Sequence, residues 1–74
     1  MSMNLLILRT NIETQTNVEM VVPILDNHEL INRWTIDTDD VDNVLKIEAK
    51  ENLREDDIAH LIYRSGFSCE ALED

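Results

Sequence analysis

Soft metal ions are held by thiolate and imidazole groups, and this chain of 74 residues offers His28, His60 and Cys69 for the task. One cysteine excludes an intramolecular disulfide and a four-cysteine zinc site. The order of the predicted elements puts His28 beyond a first helix, His60 in the middle of a second and facing solvent, and Cys69 on a last strand. Nothing in that topology brings the three together. Cys69 has no basic neighbour in sequence to favour its thiolate, so it reads as a small, partly buried residue and not as a nucleophile. Hard cations prefer carboxylates, and Asp37, Asp39, Asp40 and Asp42 crowd one segment. A calcium-binding EF-hand loop needs oxygen side chains at its first, third and fifth positions, glycine at the sixth and glutamate at the twelfth. Counted from Asp37, the fifth residue is Val41 and the sixth is Asp42, so this run reads as a solvated acidic turn. No nucleophile, base and orienting group recur at a recognisable catalytic spacing.

The elements that must position these residues follow from apolar periodicity. Met3 to Arg9, with Leu5, Leu6, Ile7 and Leu8 at its centre, is too short for an independent helix and reads as a strand buried on much of both faces. Thr10 to Asn17 is a polar loop. Thr16 and Glu19 fit a capping box, and Val18, Val21, Ile24 (or Val22) and Leu25 recur at helical spacing behind it. Pro23 lies too far inside for a first-turn proline and is expected to kink or weaken that helix. Asp26 to Glu29 closes it. Leu30 to Asp37 alternates as a strand with Trp34 and Ile36 on one face and Arg33 and Thr35 on the other. Thr38 to Asn43 is a hairpin turn by composition, and Val44 to Ala49 returns with Leu45 and Ile47 toward the core.

Asn52 and Glu55 make a second cap pair. Glu55, Asp56 and Asp57 suit the positive end of a helix dipole, and Ile58, Leu61 and Ile62 form its apolar stripe. Arg64 lies in the last turn and Gly66 is the expected left-handed terminator. Phe67 to Leu72 completes the pattern and Glu73–Asp74 trails off. The expected architecture is α+β: a ferredoxin-like βαββαβ domain over residues 1–74, a four-stranded antiparallel sheet with both helices on one face.

A chain this short buries only about 60% of its unfolded surface and leaves little core for an elaborate active site. Its formal net charge of −10 disfavours nucleic acid and anionic lipid and favours a basic protein partner. The aromatic residues Trp34, Tyr63 and Phe67 are too few for an RNA-stacking sheet, and Trp34 is expected in the core. No apolar run approaches the roughly 18 residues of a membrane span. Met1-Ser2-Met3-Asn4 lacks the basic start and long apolar stretch of a signal peptide, so a cytoplasmic location is expected.

Several spacings converge. Asn17 is followed by Val18, Val21 and Leu25; Ile31, Trp34, Ile36 and Asp37 follow the pattern V-x-x-V-x-V-D; Ile58, Ile62, Gly66 and Phe67 follow I-x-x-x-I-x-x-x-G-[YF]. Over nearly its whole length the chain resembles the heavy-metal-associated domains, the copper-chaperone-like family. In that family the first loop reads Gly-Met-x-Cys-x-x-Cys and its two cysteines grip a soft metal ion. Here the loop is Asn11-Ile12-Glu13-Thr14-Gln15-Thr16-Asn17. Ile12 takes the place of the family's buried methionine, and Thr14 and Asn17 stand where the cysteines would be. A hydroxyl and a carboxamide are poor ligands for Cu(I) or Zn(II), so metal binding does not carry over to Thr14 and Asn17, whose expected work is to satisfy backbone N–H groups. Acylphosphatases share the fold, and Arg9 and Asn11 flank the same loop, but it lacks the glycines of a backbone phosphate nest.

The resemblance implies a small interaction or regulatory module with no cofactor and no enzymatic activity, built on a metal-handling scaffold that has lost its metal. Its partner is expected to be a protein, with homodimerisation through the open sheet face, where Ile31 and Arg33 are placed. The alternative is a metal-trafficking protein that uses the unconventional ligands His60 and Cys69.

Overall fold

The computed structural model describes residues 3–50 and 52–72; the Met1–Ser2 start and the trailing Glu73–Asp74 lie outside the described residues. Six elements follow one another: β1 (Met3–Thr10), α1 (Gln15–Asp26), β2 (Ile31–Asp37), β3 (Val44–Lys50), α2 (Glu55–Arg64) and β4 (Cys69–Ala71). The strands form one antiparallel sheet in the order β2-β3-β1-β4. This is the βαββαβ arrangement that the periodicity predicts.

Alternation along the strands decides which face is covered. Leu6 and Leu8 of β1 are buried with Leu45, Ile47 and Ala49 of β3, and Val21 and Leu25 of α1 join Ile58 and Ile62 of α2 in the same cluster. Both helices therefore cover one face, and the other is open. The expectation that β1 is buried on both faces fails for this reason: Leu5, on the open side, is 60% exposed. Leu53, in the turn before α2, adds to the core.

Both helix starts differ from the expected caps. In α1 the N-cap is Thr14, with Thr16 already inside the helix. In α2 the cap is Arg54, beyond Asn52, and the Asp57 carboxylate accepts the Arg54 N–H at 3.0 Å. An arginine side chain has no acceptor, so only the return half of a capping box exists there. Pro23 does not end α1, which runs on to Asp26. Its missing N–H falls opposite Glu19, an exposed residue whose carbonyl water can satisfy. The end of α2 matches expectation: Gly66 has φ +95°, its N–H donates to the Tyr63 carbonyl, and the Phe67 N–H donates to the Ile62 carbonyl at 3.2 Å. This pair of bonds is a Schellman motif.

One irregularity moves a side chain across the sheet. From Ile31 to Arg33 β2 advances two residues while β3 advances one, from Ala49 to Glu48. Asn32 is thus the extra residue of a β-bulge. Ile31 pairs with the buried Ala49 and packs against the core, contrary to its expected place on the open face, whereas Arg33 does stand on that face beside Glu48. The last strand is shorter than expected, three residues instead of Phe67 to Leu72.

Candidate functional site

The loop between β1 and α1 is pinned from two sides. The Thr10 hydroxyl donates to the Asn43 carbonyl at 2.8 Å and accepts the Ile12 N–H at 3.1 Å. The Thr10 N–H donates to the Asp42 carbonyl at 3.0 Å. On the other side the Asn11 N–H donates to the Ser68 carbonyl at 3.3 Å, and the Asn11 side-chain oxygen accepts the Ser68 N–H at 2.8 Å. The loop thereby ties the β2–β3 turn to the segment before β4. Asn43, buried and at φ +46°, is the hinge of the first tie. Asparagine tolerates that left-handed backbone better than most residues. Sequence reading did not single out Asn43 or Ser68; an asparagine at the end of an acidic turn was the available signal.

Thr14 and Asn17 close on each other. The Thr14 hydroxyl oxygen accepts the Asn17 N–H at 3.1 Å, and the Asn17 side-chain oxygen accepts the Glu13 N–H at 3.3 Å. The Val18 N–H donates to the Thr14 carbonyl at 3.0 Å. This is a capping box displaced by one residue: the returning side chain meets the N–H just ahead of the cap instead of the cap's own. Residues three apart at a helix start face the same point in space, and here they spend that proximity on backbone donors. Beneath them Ile12 is fully buried, a hydrophobic plug beneath the exposed loop.

The soft ligands sit elsewhere. His28 accepts the Leu30 N–H at its Nδ1 at 3.2 Å. His60 is exposed, and its Nδ1 lies 2.9 Å from the Asp56 carbonyl. A carbonyl only accepts, so Nδ1 carries the proton and Nε2 is left toward solvent. His60 and Cys69 line one shallow depression with Asp56, Ala59, Tyr63 and Ser68; His28 is not among them, so the three soft ligands are not brought together. No group of three or more metal-ligating side chains occurs among the described residues. Burial, with the neighbouring Glu70 carboxylate adding to it, pushes the Cys69 thiol from 9.0 up to about 12. Near neutral pH this thiol stays protonated, and it is the thiolate that binds metals or attacks. Arg9 forms an exposed ion pair with Glu70 and Asn11 bonds Ser68, so both residues flanking the loop are engaged within the chain.

The sequence matches no protein-family profile and no curated protein. Solved structures do resemble it. The CsoZ metallochaperone superposes with a TM-score of 0.76 over 92% of this chain and 97% of its own, at 17% identity. Two solution structures of the yeast copper transporter domain Ccc2A, in its apo and Cu(I)-loaded states, superpose with TM-scores of 0.78 over 95% of this chain and 96% of theirs, at 21% identity. The chain shares the ferredoxin-like βαββαβ fold of these domains. At these identities the likeness is one of backbone, and the chemistry rests on the chain's own side chains. The lone cysteine lies on β4, so the Cys-x-x-Cys pair is lacking from the first loop. No helix among the described residues is long and apolar enough to cross a membrane.

Proposed function

We propose that this chain is a small protein-interaction or regulatory module whose heavy-metal-associated scaffold has lost metal binding. The observation that carries this reading is the closed exchange between Thr14 and Asn17: both side-chain oxygens are already committed to backbone N–H groups, and neither is a soft ligand. The reading is non-enzymatic and cytoplasmic. The acidic exterior, at a net charge of −10, favours a basic protein partner and disfavours nucleic acid and membrane surfaces. Homodimerisation through the open sheet face is a second part of it.

The test is a titration with Cu(I) and with Zn(II) while amide shifts are recorded. The expected result is no stoichiometric binding at the first loop. Micromolar or tighter binding centred on Thr14 and Asn17 would sink the proposal. The depression shared by His60 and Cys69 favours one other reading, metal trafficking through those two ligands. In that case binding appears around Cys69 and disappears in Cys69→Ala. The raised thiol pKa works against it.

A further inference from the structure

Four of the six Lys and Arg side chains of this acidic protein stand on one surface. Arg9, Arg33, Lys46 and Lys50 all alternate away from the core, onto the open face of the sheet. Arg9 pairs there with Glu70, and Arg33 with Glu48 at 3.6 Å. Lys46 and Lys50 have no ion-pair partner among the described residues. Lys46 lies mid-strand and Lys50 at the C-terminal end of β3, and a shallow depression beside them is lined by Leu5, Arg33, Trp34, Thr35, Lys46 and Glu48. At the opposite end of the same strands, the β2–β3 turn carries Asp39, Asp40 and Asp42. Its tip residue, Val41, is 92% exposed. The turn is well built: the Asp37 carboxylate accepts the Asp39 N–H at 3.1 Å and the Asp40 carboxylate accepts the Asp42 N–H at 2.9 Å. Arg33, Lys46 and Lys50 therefore lie on the side of the sheet away from the turn, while Arg9 comes level with Val44 beside it; the depression sits among the first group, and the turn ends in an apolar tip.

We propose that a second copy of this chain docks on the open face with its strands reversed. Each acidic turn lies over the other's basic end, and each Val41 enters the other's Leu5 depression. A two-fold axis lying in the interface and across the strands gives this reversal, so both contacts form at once and the assembly closes at two copies. The open face is also where two chains of net charge −10 meet with the least repulsion, because it gathers most of their positive charge. Isolated exposed ion pairs contribute little, which makes the dimer a weak one that depends on several pairs and the Val41 contact together. This deepens the homodimer part of the proposed function and is independent of the loss of metal binding.

Sedimentation velocity up to millimolar chain, on the wild type and two charge-reversed variants, tests it. Lys46→Glu with Lys50→Glu makes the basic end acidic; Asp39→Lys with Asp42→Lys makes the acidic end basic. Each variant alone is expected to dimerise at least about tenfold more weakly than wild type, a loss of about 1.4 kcal/mol. An equimolar mixture is expected to recover wild-type association, because in the mixed dimer both contacts are again opposite in sign. Val41→Ser, at an exposed position, gives a separate arm and should weaken the dimer several-fold. Amide spectra verify that each variant is folded. A monomeric wild type overturns this inference and the homodimer reading together, leaving the metal titration to judge the loop. A dimeric wild type whose variants associate unchanged, or a mixture that does not recover, overturns this docking geometry alone.

Discussion

A pair of side chains three residues apart at a helix start can serve either of two masters. Thiolates there converge on an ion; a hydroxyl and a carboxamide there converge on the helix's own unpaired N–H groups. Thr14 and Asn17 take the second course, as their residue types imply. What the sequence obscured was which threonine caps the helix. Thr16 with Glu19 matches the familiar motif, whereas Thr14 returns its bond through an asparagine, one register earlier. A second residue-scale consequence concerns Cys69. The unfolded chain releases its thiol proton near 9.0, the folded chain only near 12. Between those values the folded state binds more protons, so the stability this thiol contributes is complete below pH 9 and is lost as pH rises toward 12. Urea unfolding of wild type and Cys69→Ala across that range should show a steeper alkaline decline in the wild type, with parallel pH dependence below pH 8. Parallel curves throughout would contradict it.

At the scale of elements, the order of strands and helices was legible because each carries a strong local signal: period-two alternation in β3, the apolar stripe and glycine stop of α2. The bulge at Asn32 was not. A strand read by simple alternation puts Ile31 and Arg33 on the same side; one inserted residue separates them, and nothing in I-N-R-W announces the insertion. The placement has an energetic signature. Ile31→Ala removes apolar surface that packs against the core and should cost about 1–2 kcal/mol. Arg33→Ala removes an exposed arm from a 3.6 Å ion pair and should stay within about 0.5 kcal/mol. Chemical denaturation of both variants measures the difference, and equal costs would argue against the bulge. The length of β4 was also beyond local reading. Its ladder register covers only Leu8, Arg9 and Thr10, with single backbone bonds beyond it from Leu72 to Ile7 and from Asn11 to Ser68, a limit set by tertiary contact and not by the apolar content of Phe67 to Leu72.

For the whole molecule the governing quantities are size and charge. A chain of 74 residues with a net charge of −10 has a small core and a self-repelling exterior, and the two compete. Screening weakens the repulsion over roughly a Debye length, which shortens from about 30 Å at 0.01 M salt to about 8 Å at 0.15 M. The melting temperature of dilute protein should therefore rise between those salt concentrations; a flat or falling trend would mean that local ion pairs outweigh the repulsion. The bulge at Asn32 has a consequence at this scale too. In the order β2-β3-β1-β4 the outer strands are β2 and β4. β4 offers three residues of rim, and β2 is interrupted near its start. A straight, continuous rim is the template along which identical chains stack into cross-β fibrils. With one rim short and the other broken, the molecule guards both margins of its sheet against endless growth.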